Sequence, residues 1–155
     1  MASPVKKTVA IIGLGYVGLP LAVRSSERGY HVIGFDTNEE KIALLNQGKS
    51  PIEDIFLEEN LARFRFEATS DAKKLKQADI FLICVPTPVD ASFYPDLQPV
   101  ISASTLIATH AKKGALVVLE STVNPGVSEE VVRPIFEKAG YKVSKDIYLA
   151  HCPER

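Results

Sequence analysis

Val9-Ala10-Ile11-Ile12-Gly13-Leu14-Gly15-Tyr16-Val17-Gly18 decides the fold: an apolar run, then three glycines spaced Gly-x-Gly-x-x-Gly. A helix-compatible segment follows and ends at Gly29, and the next apolar run, His31 to Phe35, closes on an acid, Asp36. Strand before, helix after and a carboxylate roughly twenty residues downstream make this a dinucleotide fingerprint in its proper context. Gly13 permits the tight turn out of the strand, Gly15 lets backbone approach a pyrophosphate without a Cβ in the way, and Gly18 allows helix to pack closely on strand. The helix that begins here aims its N–H groups and positive dipole end at the phosphates. Asp36 is placed to accept the ribose hydroxyls of an adenosine, and no Arg or Lys follows it directly, so NAD is expected rather than NADP. Lys6 and Lys7 followed by the apolar stretch from Val9 to Val23 superficially resemble a secretory signal. The glycine spacing, Pro20 and the continuation into a second strand-like run argue against that reading.

Working outward, apolar runs alternate with helix-like segments along the whole chain. Strands are expected over 8–12, 31–35, 64–67, 80–85, 116–119 and 147–150. Six strands alternating with helices imply an α/β fold, a Rossmann-like doubly wound parallel sheet with helices on both faces. Helix stops are expected at Gly29, Gly48, Gly114 and Gly140, and starts at Thr37-Asn38-Glu39-Glu40 and Ser50-Pro51-Ile52-Glu53, which fit the capping-box pattern. Asn124-Pro125 offers another start, with a kink or early break at Pro134. The long irregular stretch from Pro86 to Pro99 leaves a strand at its carboxyl end, where site elements gather.

Composition narrows the function. A chain of 155 residues with formal charge −1 suits one domain and carries no basic cluster for nucleic acid or an anionic membrane. Its apolar runs, such as Ile80 to Val85, fall far short of the roughly 20 residues a bilayer requires. Two cysteines do not make a disulfide framework, so a reducing cytoplasm is the expected compartment. His31, His110 and His151 have no partner at metal-ligand spacing, and no metal is expected. Cys84 reads as a small core hydrophobe.

Three segments follow strands and therefore converge on the edge that holds the glycine turn: Val85-Pro86-Thr87-Pro88, Glu120-Ser121-Thr122-Val123-Asn124-Pro125-Gly126, and His151-Cys152-Pro153-Glu154-Arg155. Thr87 and Thr122 either hydrogen-bond a cofactor or water, or merely cap turns beside proline. Glu154 either acts as a base or water-orienting group, or is a solvated glutamate.

Gly13-Leu14-Gly15-Tyr16-Val17-Gly18-Leu19-Pro20, Cys84-Val85-Pro86-Thr87-Pro88, Glu120-Ser121-Thr122-Val123 with Pro125-Gly126, and Pro153-Glu154-Arg155 occur in this order in the UDP-glucose/GDP-mannose dehydrogenase family. The chain resembles that family's amino-terminal NAD-binding domain over essentially its whole length. Val85-Pro86-Thr87-Pro88 with the later Pro95-Asp96-Leu97 resembles the branch acting on UDP-N-acetylhexosamines; UDP-glucose is the alternative substrate, and a stand-alone NAD-binding regulatory module the alternative role.

The resemblance implies an NAD-dependent oxidoreductase of polysaccharide biosynthesis. The family's reaction oxidises a sugar C6 hydroxymethyl to a carboxylate with two NAD in succession, through a cysteine thiohemiacetal and thioester. By the same resemblance, Gly13, Leu14, Gly15, Tyr16, Val17 and Gly18 hold the pyrophosphate, and Asp36 takes the adenine ribose with Lys41 nearby. Val85, Pro86 and Thr87 line the cofactor cleft, while Ser121 and Thr122 sit near the nicotinamide, Thr122 also holding a catalytic water. Glu154 matches the acid that assists thioester hydrolysis, and Arg155 a residue at the sugar-nucleotide site. Cys152 stands where the family often has Ser or Asn, and Asn124 where Pro or Tyr is frequent. The family's catalytic cysteine belongs to a later domain, in a Gly-x-Cys context absent here, so Cys152 is not read as the nucleophile. Residues 1–155 are thus expected to be one NAD-binding domain of a longer, homodimeric or larger parent, inactive on a UDP-sugar by itself.

Overall fold

The computed structural model describes residues 6–153. Six strands are described: β1 (Thr8–Ile12), β2 (His31–Phe35), β3 (Glu67–Thr69), β4 (Ile80–Ile83), β5 (Ala115–Leu119) and β6 (Ile147–His151). They form one sheet in the order β3-β2-β1-β4-β5-β6, every pairing parallel. The chain winds outward from β1 in one direction to β3, then returns to start β4 on the other side of β1. The crevice beyond the carboxyl ends of β1 and β4 is therefore the topological switch point where open α/β sheets bind ligands.

Register sharpens that placement. Ile12 pairs with Phe35 on one side and Ile83 on the other, Ile83 with Leu119, and Leu119 with His151. The next residue along each strand falls at the same rim, which lines up Gly13, Asp36, Cys84, Glu120 and Cys152.

Alternate side chains of each strand enter opposite cores, as a two-residue period requires. Val9 and Ile11 pack with α1 (Gly18–Glu27), α2 (Glu39–Asn46) and α3 (Ile55–Asn60) through Leu19, Val23, Ile42, Leu45 and Leu57. Ala10 and Ile12 face α4 (Gln98–His110) and α5 (Arg133–Lys138) through Val100, Ile107 and Phe136, joined by Val132 just before α5. No described helix is long and apolar enough to cross a membrane.

Local chemistry accounts for most boundaries. Gly29, Gly48 and Gly140 end helices as expected: the N–H of the following residue, Tyr30, Lys49 or Tyr141, returns to the carbonyl of Ser25, Leu44 or Phe136. Gly114 does not close a helix. α4 already ends at His110, and Gly114 instead turns the chain into β5, donating to Asp146 O at 2.7 Å. The cap of α2 is Asn38, one residue later than the capping-box reading, with its side chain accepting from Lys41 N at 2.9 Å.

Ser50 starts no helix. Its hydroxyl is held by Ile52, and α3 begins later, where the Asp54 carboxylate accepts from Leu57 N at 2.9 Å. The expected strand over 64–67 is displaced to Glu67–Thr69 because Phe64 still closes a helical turn, its N–H donating to Asn60 O at 2.8 Å. Pro134 does not break the segment, which runs on to Lys138 with Pro134 in the first turn of α5. Without an N–H Pro134 adds no bond to the helical ladder, and a π-helical turn over Ser128–Val132 precedes α5, with Arg133 N–H bonded to Ser128 O.

Candidate functional site

The three glycines of the opening turn have three different physical reasons. A Cβ on Gly13 would lie 2.7 Å from the carbonyl oxygen of Cys84, and its φ of +93° is left-handed. A Cβ on Gly18 would lie 1.9 Å from Gly13 O and 3.0 Å from Cys84 Cβ, so β1, β4 and α1 cannot close around a larger residue. Gly15 differs: a Cβ there would meet nothing within 4 Å. The fold itself does not require glycine at that position, and the open space lies on the cleft.

The first turn of α1 is equally bare. Its N-cap is Val17, which supplies no side-chain acceptor, and no acid occupies the first turn, whereas α2 and α3 are capped by Asn38 and Asp54. A helix start without a protein cap leaves backbone donors for an anion. Open space at Gly15 beside an uncapped helix start is the arrangement a pyrophosphate fits.

Asp36 follows β2 and is buried, with three donors on its carboxylate. Oδ2 accepts from Leu14 N at 2.9 Å and from Lys41 Nζ at 2.7 Å, while Oδ1 accepts from Asn38 N at 3.0 Å. Burial alone would push the carboxyl up. The Lys41, Leu14 and Asn38 bonds outweigh it and hold the group below the usual carboxylate range. Asp36 therefore stays ionised at neutral pH and ties the glycine turn to the end of β2.

These residues enclose a cleft of about 860 Å³ at the switch point. Gly13, Leu14, Gly15, Tyr16, Val17, Asp36, Lys41, Val85 and Pro86 all line it. Tyr16 is 82% exposed at its mouth. Cys84 also faces it, and burial pushes its thiol up to about 12, with the nearby Glu120 adding to the shift. That thiol is not a nucleophile at neutral pH.

Thr87, Ser121 and Thr122 stand together one step along the rim rather than in the cleft lining. Thr87 Oγ1 donates to the Thr122 carbonyl at 2.8 Å. Ser121 is buried, and its hydroxyl donates to the Val85 carbonyl at 2.7 Å, tying the exit of β5 to that of β4. Ser121 thus positions the Val85-Pro86 wall through its own hydrogen bond. Glu154 and Arg155 lie outside the described residues, and Cys152 is exposed just beyond β6.

Sequence reasoning missed the opposite wall. Pro99, Ser102, Ala103 and Leu106 of α4, with Phe35 and Thr37, complete the cleft. The signal was present: 99, 102, 103 and 106 recur at helical spacing as a small, largely apolar face beside the core positions Val100 and Ile107. The loop before α4 also ends earlier than expected, at Leu97, with Pro99 in the first helical turn. Within that loop, the Asp90 carboxylate accepts from Ser92 N at 2.7 Å and Tyr94 N at 3.0 Å, folding a small turn whose tip holds the exposed Phe93.

Residues 7–155 match the family model described as the UDP-glucose/GDP-mannose dehydrogenase family, NAD binding domain. Among curated relatives, the chain is 41% identical over 150 residues to protein CapL of Staphylococcus aureus, covering 96% of this chain and 35% of that protein. It is 40% identical over 148 residues to the UDP-N-acetyl-D-glucosamine 6-dehydrogenase of Pseudomonas aeruginosa, covering 95% and 35%. Among solved structures, the UDP-N-acetyl-D-mannosamine dehydrogenase of Pyrococcus horikoshii superposes with a TM-score of 0.90 at 35% identity, covering 96% of this chain and 36% of that one. The chain thus spans about a third of the length of the curated relatives it matches.

Proposed function

Because the chain belongs to the UDP-glucose/GDP-mannose dehydrogenase family, as its NAD binding domain, we propose that it is the cofactor-holding part of an enzyme that oxidises the C6 hydroxymethyl of a UDP-N-acetylhexosamine to a carboxylate. The observation that carries the reading is the joined unit of Gly15 and Asp36. An open cradle faces an uncapped helix start, and a buried, ionised carboxylate is bonded to the same turn through Leu14 N. NAD, when bound, supplies the hydride acceptor.

In this reading Gly13 to Gly18 hold the pyrophosphate by backbone donors, and Asp36 with Lys41 takes the adenine ribose. Val85 and Pro86 wall the cleft, with Thr87, Ser121 and Thr122 on the nicotinamide side. Thr122 holds the catalytic water, Glu154 assists the hydrolysis of the thioester by water, and Arg155 serves the sugar-nucleotide site. The sugar preference rests on the names of similar proteins, which act on UDP-N-acetylglucosamine or UDP-N-acetylmannosamine, and on Val85-Pro86-Thr87-Pro88. The remaining two thirds of such relatives would carry the thiol and most of the sugar contacts, in a cytoplasmic homo-oligomer.

Isothermal titration of the purified chain with NAD and NADP, for wild type and Asp36→Ala, tests the cofactor assignment. NAD is expected to bind more tightly than NADP and to lose affinity on mutation. A preference for NADP, or no loss, overturns it. NADH production from a UDP-sugar by this chain alone would overturn the division of labour.

A further inference from the structure

The hydrogen bonds on Asp36 leave too little room for the ribose it is read to bind. A carboxylate offers about four lone-pair positions. Leu14 N and Lys41 Nζ occupy two on Oδ2, and Asn38 N occupies one on Oδ1. One position stays open, whereas a ribose diol brings two hydroxyls. A docking ribose therefore competes with a donor already present.

Leu14 N is fixed by the glycine turn, and Asn38 N by the start of α2, where the Asn38 side chain caps Lys41 N at 2.9 Å. The Lys41 ammonium is the movable partner. It sits on a flexible four-carbon stem, its side chain is 23% exposed, and it lines the cleft together with Asp36 and Thr37.

We propose that Lys41 is a specificity-determining residue for the adenosine end of the cofactor: displaced from Asp36 by the ribose, its ammonium remains beside the 2′ position, where it offsets the repulsion of a 2′-phosphate by Asp36. The site's preference for a free 2′-hydroxyl is then a balance between a fixed anion and a mobile cation. Asp36 dominates because it is buried and anchored by backbone donors. Glu39 and Glu40 stand in the first turn of α2 outside the cleft lining, Glu39 accepting from Ser70 Oγ at 2.7 Å, and are the same in every variant compared. The inference rests on the NAD reading and adds to it the residue that sets tolerance for a phosphorylated ribose.

The test is isothermal titration of the purified chain with 5′-AMP and adenosine 2′,5′-bisphosphate, which differ only in the 2′-phosphate, alongside NAD and NADP at fixed ionic strength. Asp36→Asn keeps an acceptor for Leu14 N and removes the anion, so the affinity ratio should move toward the bisphosphate by about ten-fold or more, the scale of one charge-assisted hydrogen bond to phosphate. Asp36→Asn combined with Lys41→Gln should lose most of that gain; a double variant that keeps it overturns the proposal. Lys41→Gln alone leaves the tie to Leu14 N intact and serves if Asp36→Asn fails to fold. It should move the ratio several-fold against the bisphosphate, and likewise raise NAD selectivity over NADP. A ratio unchanged by Lys41→Gln, in a chain that binds NAD, overturns the role of Lys41 alone. A wild-type chain that binds neither NAD nor 5′-AMP overturns the cofactor reading beneath it.

Discussion

Replacing Gly15 and Gly18 separately by alanine should split stability from binding within one six-residue turn. At Gly18 the new Cβ would sit 1.9 Å from the Gly13 carbonyl oxygen, a backbone atom that moves only if β1 or α1 moves. Overpacking of this kind costs about 1–3 kcal/mol, and a backbone clash belongs at or above the upper end. For a domain of this length that lowers the melting temperature by roughly 6–12 °C. At Gly15 the Cβ meets nothing within 4 Å and φ is not left-handed, so the folded state accepts it. Alanine also reduces unfolded-chain entropy, and Gly15→Ala should leave stability unchanged or raise it by up to about 1 kcal/mol. Its effect falls on the ligand. A methyl group in the cradle keeps a phosphate from closing on the backbone, and loss of one hydrogen bond to a charged group costs about 1.5–3 kcal/mol, roughly ten- to a hundred-fold in Kd. Differential scanning calorimetry and isothermal titration with NAD read the two effects independently, and titration suits a chain without tryptophan. A Gly15→Ala chain that binds NAD like wild type, or melts as early as Gly18→Ala, refutes the reasoning.

Cys84 and Cys152 should react very differently with an alkylating reagent at pH 8: burial holds the Cys84 thiol protonated up to about 12, while Cys152 is exposed. Mass spectrometry should find label on Cys152 alone in the native chain and on both after denaturation; native labelling of Cys84 at a similar rate would contradict the packing of β4. Asp36 predicts the pH response. Its folded-state pKa is depressed, so its contribution to stability is complete above the ordinary carboxyl value near ~3.9 and is lost as pH falls through the lower folded value. NAD affinity and the Asp36 share of stability should therefore be flat from pH 6 to 8, and a midpoint near neutrality that disappears in Asp36→Asn would contradict the assignment. Ser121→Ala removes the donor to the Val85 carbonyl and should cost about 1–2 kcal/mol in chemical denaturation, with no change at all counting against a structural role for that bond.

The readable parts of this chain were those whose physics is local. The glycine spacing, the β-branched runs and helix-ending glycines such as Gly29 each depend on a handful of consecutive residues, and the strands β1 and β2 fall where the apolar runs place them. Phe64 and Phe66 misled because an apolar pair near a strand also serves to cover a core, and only the tertiary arrangement decides which. Ser50 misled for a related reason. Its hydroxyl is as well satisfied by Ile52 in a local turn as by a helix N-terminus, and the competing cap at Asp54 is supplied four residues later. The α4 wall of the cleft needed more than pattern. Pro99, Ser102 and Ala103 matter only because α4 lies over the switch point, which depends on β4 pairing with β1 across about seventy residues of chain. Lys41 shows the same limit at one residue, since its ion pair with Asp36 depends on the angle at which α2 leaves β2.

Sheet order also constrains what length of ligand this edge can use in full. Asp36 follows β2, the glycine turn follows β1, Val85 follows β4, and Ser121 with Thr122 follows β5. In the order β2-β1-β4-β5, the first and last of these are three strand spacings apart, about 14 Å at roughly 4.8 Å per step. The anion-receptive element lies between the two ends, one step from β2. A ligand that satisfies every one of these groups must therefore present a diol at one end, a negative charge near the first third of its length and a second ring system at the other. A mononucleotide anchored on Asp36 reaches the glycine turn and stops there. The chemistry of the rim changes along the same line, from the buried charge pair of Asp36 and Lys41, through apolar Val85 and Pro86, to the hydroxyls of Thr87 and Ser121. In the proposed reading that gradient sets one ribose diol of a dinucleotide on Asp36 and lays the far half along the apolar wall toward Thr87 and Ser121, whose hydroxyls already donate to carbonyls and so offer that half acceptor oxygens rather than free donors.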